Sequence, residues 1–323
     1  KFYSIALEDN IKLSQHFEAQ LGVIYTKRKA DAEGIGRNTQ DLINKYPSAG
    51  SMLNPSINST DFQTALFYKP NDIDVFRLAI GKKTRFPSFK ESYSNYGDNE
   101  KRCPKGVPSC ITGELYPSIS LQNPGLKPES ATNIELGYTG IPLDDLNLDV
   151  ALFYSQSKNA IDRRDDDWVS FPGYVISQNY NVPGKIVRKG IEIGFNYDLN
   201  EYLKMGGGYT YLHVKNKDHS EIKLKDIPKN FGYAYLTVKP FNWLEITPSM
   251  NARSSSYADS EGRNRNSGYA TYNLKFSVKP PKWEGTTFNA GVENIFNKNY
   301  AAYDSTYASP GRYMYINMRY DFH

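Results

Sequence analysis

Alternation with period two runs through most of this chain. In "NPGLKPESATNIELGYTG", residues 123–140, Ile134, Leu136 and Tyr138 share one parity, and Glu135, Gly137 and Thr139 share the other. That is the pattern of a strand with one greasy and one polar face. Pro124 and Pro128 block a helix and stiffen the approach to it. The same alternation recurs at Leu146, Leu148, Val150, Leu152 and Tyr154, and at Val187, Ile191, Ile193, Phe195 and Tyr197. It recurs again at Ala270, Tyr272, Leu274, Phe276 and Val278, and at Met314, Ile316, Met318, Tyr320 and Phe322. The opposite parity carries Glu, Arg, Asn, Asp and Lys in mid-strand, with many glycines. A soluble sandwich with a solvated outer face gives the same parity, so alternation alone does not say which face is wet.

Connection lengths separate the two. The pattern predicts strands over about 2–11, 16–28, 60–69, 73–85, 129–140, 145–160, 185–198, 202–215, 228–239, 243–257, 268–279, 285–297 and 312–322. "KLSQ", "PND", "PLDD", "NEY", "PFN" and "PPKWE" are tight connections, and they alternate with long polar ones such as 29–59, 86–128 and 161–184. Short turns at one end and long loops at the other are the signature of an up-and-down antiparallel transmembrane β-barrel, with short periplasmic turns and long extracellular loops. The expected fold is therefore all-β and a partial barrel of about thirteen strands. Bacterial single-chain barrels use even strand numbers, and the last strand must end on the periplasmic side. The first strand here then runs downward, and further strands are expected before Lys1.

Composition adds limits. The 323 residues suffice for one large or two ordinary domains. The chain carries 26 Tyr and 14% aromatics, and its mean hydropathy is −0.62. No run approaches 18 apolar residues, so no helix spans a membrane, whereas a barrel hides its apolar band in alternate positions. A net charge of +4 is too small to argue for nucleic acid. No signal peptide is visible, because "KFYSIALEDN" is already strand-like. Cys103 and Cys110 bracket "CPKGVPSC" and suit an intraloop disulfide outside the cytosol. A metal site would need further ligands, and no His or other Cys lies nearby to complete one.

Three segments resemble those of TonB-dependent outer-membrane receptors. "LQNPGLKPESATNIELGYTG" looks like the family's NPxLxPE…ELG segment. "GKKTRFPSF" resembles its R-x-P-x box. "GVENIFNKNYAAYDSTYASPGRYMYINMRYDF" is similar to its terminal block, although here His323 follows the final Phe322. The three occur in the family's order, and the resemblance covers the whole chain. It implies a 22-stranded barrel around an N-terminal plug, the plugged class of large barrels, with residues 1–323 as its C-terminal portion and the plug, TonB box and early strands outside this chain. It also implies energised uptake of a ferric siderophore through a TonB-ExbB-ExbD complex, in contact with outer-membrane lipid and lipopolysaccharide. Haem receptors of the same family, or a passive porin-like channel, are the alternatives. The haem receptors place a ligating His between the two boxes, and residues 85–126 contain none.

The chain shows no catalytic constellation. His16, His213, His219 and His323 have no metal-spacing partner, and nothing local supports a serine triad. No cofactor is implied. Ligand-binding candidates are the arginines and aromatics of the loops: Arg163, Arg164, Trp168, Tyr174, Arg253, Arg263 and Arg265, with Tyr93, Tyr96 and Tyr116. Guanidinium groups pair with an anionic or catechol-bearing chelate and rings stack on it. Aromatics near loop bases also build the interfacial girdle of any membrane barrel. Lumen-side Glu135, Arg188 and Glu192 are expected to meet a plug through wet, polar contacts.

Overall fold

The computed structural model describes residues 1–30, 56–93, 99–102, 111, 113–164, 175–259, 262, 264–300 and 309–322. One thirteen-stranded sheet dominates it. Its members are β1 (Phe2–Lys12), β2 (Phe17–Lys29), β3 (Ser56–Tyr68), β4 (Val75–Arg85), β7 (Glu129–Leu143), β8 (Leu146–Lys158) and β11 (Lys185–Asn200). They continue with β12 (Leu203–Asn216), β13 (Asn230–Phe241), β14 (Leu244–Arg253), β17 (Tyr269–Val278), β18 (Thr286–Glu293) and β19 (Tyr313–Tyr320). Each pairs antiparallel with the next, from β1 to β19. These thirteen are the strands that the alternation predicts, with ends shifted by a few residues. Shorter strands lie in the long connections: β5 (Asn99–Arg102), β6 (Leu115–Leu121), β9 (Ile161–Arg164), β10 (Val175–Asn181), β15 (Ser256–Tyr257) and β16 (Arg265–Asn266). A five-residue helix, α1 (Phe89–Tyr93), follows β4.

Register decides the faces. Leu78, Leu136, Leu152 and Ile191 align across four strands, as do Ala79, Glu135 and Phe153 on the opposite face. The first row stays uncovered by protein: Leu136 is 52% exposed and, near the sheet's edge, Ile316 is 83% exposed. Among the described residues only Tyr93, Leu126, Ala151, Ala160, Val182, Ile186 and Val187 are buried hydrophobics. A water-soluble chain of this length needs far more buried apolar surface, so the greasy face is built for hydrocarbon.

The tight-turn rim carries an aromatic row on that face. Phe17 stacks on Tyr68 at 4.9 Å, Tyr68 on Phe76 at 6.0 Å, and Phe76 meets Tyr138 at 4.9 Å, one ring from each of β2, β3, β4 and β7. Phe241 and Trp243 stack at 5.3 Å, Trp283 meets Phe288 at 5.5 Å, and Tyr320 meets Phe322 at 4.8 Å along the same rim. All three register shifts, at Gly140/Leu143, Asp198/Asn200 and Val238/Phe241, also fall there. The polar face is knitted by side chains. Arg77 donates to Glu135 at 2.8 Å and to Thr139 at 3.4 Å, with Asp149 at 3.8 Å. Tyr233 lies across Gly208, where a Cβ would stand 2.7 Å from its ring, and Tyr235 covers Gly206 in the same way while donating to Asn196.

Candidate functional site

The long-connection rim is where the sequence places binding chemistry. Arg85 ends β4, and its register partner Glu129 begins β7. The Arg85 guanidinium donates to Glu129 from Nε at 3.2 Å and Nη2 at 3.0 Å. It also donates to both carboxylate oxygens of Glu91 at 2.9–3.0 Å. Ser88 caps α1 reciprocally: its amide donates to Glu91 at 2.7 Å, and the Glu91 amide donates to its hydroxyl at 3.1 Å. This is a capping box, which satisfies two otherwise orphan donors. The segments "TRFPS" and "KPE" therefore form one clamp, with Pro87 fully buried beneath it. Burial pushes the Glu91 carboxyl up, but the bonds from Arg85 and Ser88 outweigh it and hold the group below its ordinary value.

Asparagines join this base to the next connection. The Asn123 amide donates to the Ser92 carbonyl at 2.8 Å, and its side chain donates to the Asn179 carbonyl at 3.0 Å. Asn179 donates in turn to the Glu91 carbonyl at 2.8 Å. Asn181 accepts from the Lys127 amide at 2.8 Å and donates to the Lys127 carbonyl at 2.9 Å. Above them β10 pairs in parallel with β6, so β5-β6-β10-β9 form a four-stranded sheet shared by the 86–128 and 161–184 connections. A small apolar cluster of Ala160, Val182 and Ile186, flanked by Tyr180, Val214, Ile222 and Leu224, ties in the 217–229 connection. Asp226 extends the chain of contacts: its amide donates to the Tyr257 carbonyl at 2.8 Å, and Asn266 donates to its carboxylate at 2.7 Å.

The described members of the predicted ligand set are distributed over this assembly. Arg163 donates to Ser120 at 3.2 Å, from one connection to another. Arg253 donates to Ser256 at 3.0 Å and lies 5.7 Å from the Tyr269 ring centre. Arg265 sits 4.9 Å over its register partner Tyr257. Tyr93 is buried beside Phe89, and Tyr116 accepts from the Ile111 amide at 3.1 Å and donates to Glu114 at 3.3 Å. The backbone of Arg164 is the last residue of β9. Trp168, Tyr174, Tyr96, Arg263 and the Cys103–Cys110 pair lie outside the described residues. On the polar wall Glu135 pairs with Arg77, Arg188 donates to Ser157 at 2.8 Å, and Glu192 stands opposite Thr210. Among the described residues no group of three or more His, Cys, Asp and Glu is arranged to hold a metal.

The clamp and the asparagine joints escape sequence reasoning, because the pairs that join separate segments lie 31 to 88 positions apart. The one available signal is the Asn179/Asn181 repeat inside "ISQNYNVPG". Among known proteins, the family model described as TonB dependent receptor-like, beta-barrel, matches residues 1–295. A probable hemoglobin and hemoglobin-haptoglobin-binding protein 4 of Haemophilus influenzae is 24% identical over 94% of this chain and 34% of its own length. A ferrioxamine receptor of Yersinia enterocolitica is 23% identical over 84% of this chain and 36% of its own. Among solved structures, the copper transporter OprC superposes with a TM-score of 0.73 at 17% identity, covering 99% of this chain and 48% of that one. The ferric yersiniabactin uptake receptor FyuA from Yersinia pestis superposes with a TM-score of 0.67 at 15% identity, covering 100% and 46%. The chain thus spans about a third of these curated relatives and about half of these solved chains.

Proposed function

This chain belongs to the family of TonB-dependent receptor β-barrels of the bacterial outer membrane, and from that premise we propose that it is the C-terminal portion of a receptor importing a ferric siderophore. The observation that carries the reading is the joined rim. The 86–128 and 161–184 connections share one sheet over a polar-walled lumen, so they close as a unit above a captured chelate. The wall does not close on itself: β1 and β19 are the two ends of the sheet order. An open strand edge in hydrocarbon costs several kcal/mol per unsatisfied group, which supports completion by further strands. The polar face, with Arg77, Glu135 and Asp149 already linked to one another, suits a plug that shifts across a wet interface. Energy would come from a TonB-ExbB-ExbD complex acting on that plug, and lipid and lipopolysaccharide would surround the apolar face. The role is selection and transport, with no reaction.

A haem reading has the haemoglobin-binding relative behind it. Against it stands the absence of any His from 85 to 126. The test is growth of an iron-starved host that lacks its own receptors and carries the full-length gene. Ferric siderophores and haem are the iron sources, with and without TonB. Growth on siderophores that needs TonB is expected. Growth on haem alone overturns the ligand, and uptake that ignores TonB overturns the mechanism in favour of a passive channel.

A further inference from the structure

The apolar face changes character toward the long-connection rim. Followed by register from strand to strand, its parity carries Lys27 and Lys29 on β2, Lys82 on β4, Lys158 on β8, Lys185 and Lys189 on β11, and Lys215 on β12. Each stands in the half of its strand that meets a long connection. The acid on that parity is Asp9, in the tight-turn half of β1. The register-paired positions of the same face from β13 to β19 carry no charge. The outward charge of the wall is therefore positive, at one rim, and concentrated on one side.

Four of these lysines gather on three adjacent strands. Lys158 and Lys185 are direct register partners. Lys189 stands opposite His213, and Lys215 follows two residues along β12. The charges of Lys189, Lys215 and Lys229 all reach the His213 ring. Lys158, Lys189 and Lys215 are exposed. Asp218, just past β12, accepts from the Lys185 backbone amide at 3.0 Å. Like charges directly opposite in a strand pair are destabilising, so the cluster costs the bare fold stability and calls for anions from outside the wall.

Its height fixes the kind of anion. Tyr154 stands beside Lys189 in register, and Tyr211 and Tyr209 follow at the next outward positions toward the middle of the sheet. All three rings are exposed on the apolar face. Tyrosines on a membrane barrel mark the boundary between acyl chains and headgroups, and basic side chains just beyond that boundary meet anionic headgroups. A soluble anion would need no tyrosines beneath the lysines.

We propose that Lys158, Lys185, Lys189 and Lys215 form a docking site for a multiply phosphorylated lipid headgroup of the outer leaflet, the lipid A end of lipopolysaccharide, whose acyl chains lie against the wall below. Charge complementarity carries the assignment, since compact, mobile ammonium groups neutralise several phosphates without demanding one fixed geometry. It rests on the family's place in the outer membrane and is independent of which ligand the receptor imports.

The test uses the full-length receptor stripped of lipid in detergent, with native mass spectrometry reading the lipid retained. Bisphosphorylated lipid A and the same lipid without its phosphates are offered at equal concentration. The proteins are the wild type, a variant combining Lys158→Gln, Lys185→Gln, Lys189→Gln and Lys215→Gln, the same four positions changed to Arg, and Lys275→Gln on the polar face. A lysine near a charged membrane surface is worth about fivefold in binding. The wild type should therefore prefer the phosphorylated lipid by about tenfold or more. The glutamine variant should lose that preference, and the arginine variant and Lys275→Gln should keep it. Wild-type protein that retains both lipids equally, or neither, overturns the proposal. A preference unchanged in the glutamine variant hands the phosphates to another surface and overturns it as well, as does an equal loss in Lys275→Gln. Should the glutamine variant fail to fold, Lys189→Gln and Lys215→Gln singly decide by the same criterion, each expected to cut the preference about fivefold. Retention is read without any iron ligand, so failure here leaves the receptor reading standing.

Discussion

At the scale of single residues, Glu91 concentrates the rim's electrostatics. It takes both oxygens of its carboxylate to Arg85 and closes the Ser88 cap as well. Burial favours the neutral acid, yet these bonds win, so the folded value lies below the ordinary 4.5. A carboxylate with a depressed folded pKa stabilises above its unfolded pKa, and that stabilisation is lost as pH falls through the folded value. The base of the 86–128 connection should therefore loosen below about pH 4.5, while the strands beneath hold. Hydrogen exchange over residues 86–93, followed from neutral pH to about pH 3, reads this directly. Glu91→Gln should open the segment already at neutral pH, by about 1–2 kcal/mol of local stability, and should flatten the acid response. An acid response of wild-type size in Glu91→Gln would assign it to another group. Arg28 shows where reading residues one by one stops. Its parity places it on the polar face, yet it is only 5% exposed, and no local pattern reports that.

At the scale of elements, the wall was legible and the rim was not. Alternation with period two, broken by "PND", "PLDD" and "PFN", marks all thirteen wall strands, because a membrane barrel strand needs the same two-faced pattern whatever its neighbours. The β6–β10 pairing left no such mark. Both strands are seven residues long, they pair in parallel, and they belong to different connections. Composition drew attention to arginines of the rim, and Arg163, Arg253 and Arg265 are engaged in holding it together. The joints that matter between connections are asparagines, whose amides imitate a backbone ladder. Asn181 serves both backbone groups of Lys127, 54 residues away. Asn181→Ala leaves those groups short of partners, at about 1–3 kcal/mol. Exchange should accordingly speed up in a peptide covering 122–128 as well as around the mutated position. A change confined to 175–184 would show that the two connections open independently.

At the scale of the whole molecule, the placement of the wall in the bilayer follows from its rings. Leucine and isoleucine on the greasy face would satisfy hydrocarbon at any depth. Trp and Tyr carry a polar handle on an apolar body and settle where the chains meet the headgroups. Here Phe17, Tyr68, Phe76 and Tyr138 form a row at the tight-turn rim, with Trp243 and Trp283 further along it. The Tyr138 hydroxyl reaches back to Asp74 in the turn below, at 2.7 Å, so the row's polar edge points away from the strands' middle. The row sets these turns at a membrane interface, their shortness makes it the periplasmic one, and the clamp of Arg85, Glu91 and Glu129 lies at the opposite rim. Single-tryptophan variants of the full-length protein, retaining Trp243 or Trp283, test this in bilayers of brominated lipid. Quenching should be strongest with bromine near the carbonyl end of the acyl chain and weakest near the terminal methyl. Strongest quenching by the deepest bromines would move the rim into the hydrocarbon core. No quenching at any depth would take it out of the membrane. Either result would break the link between the aromatic row and the depth of the tight-turn rim in the membrane.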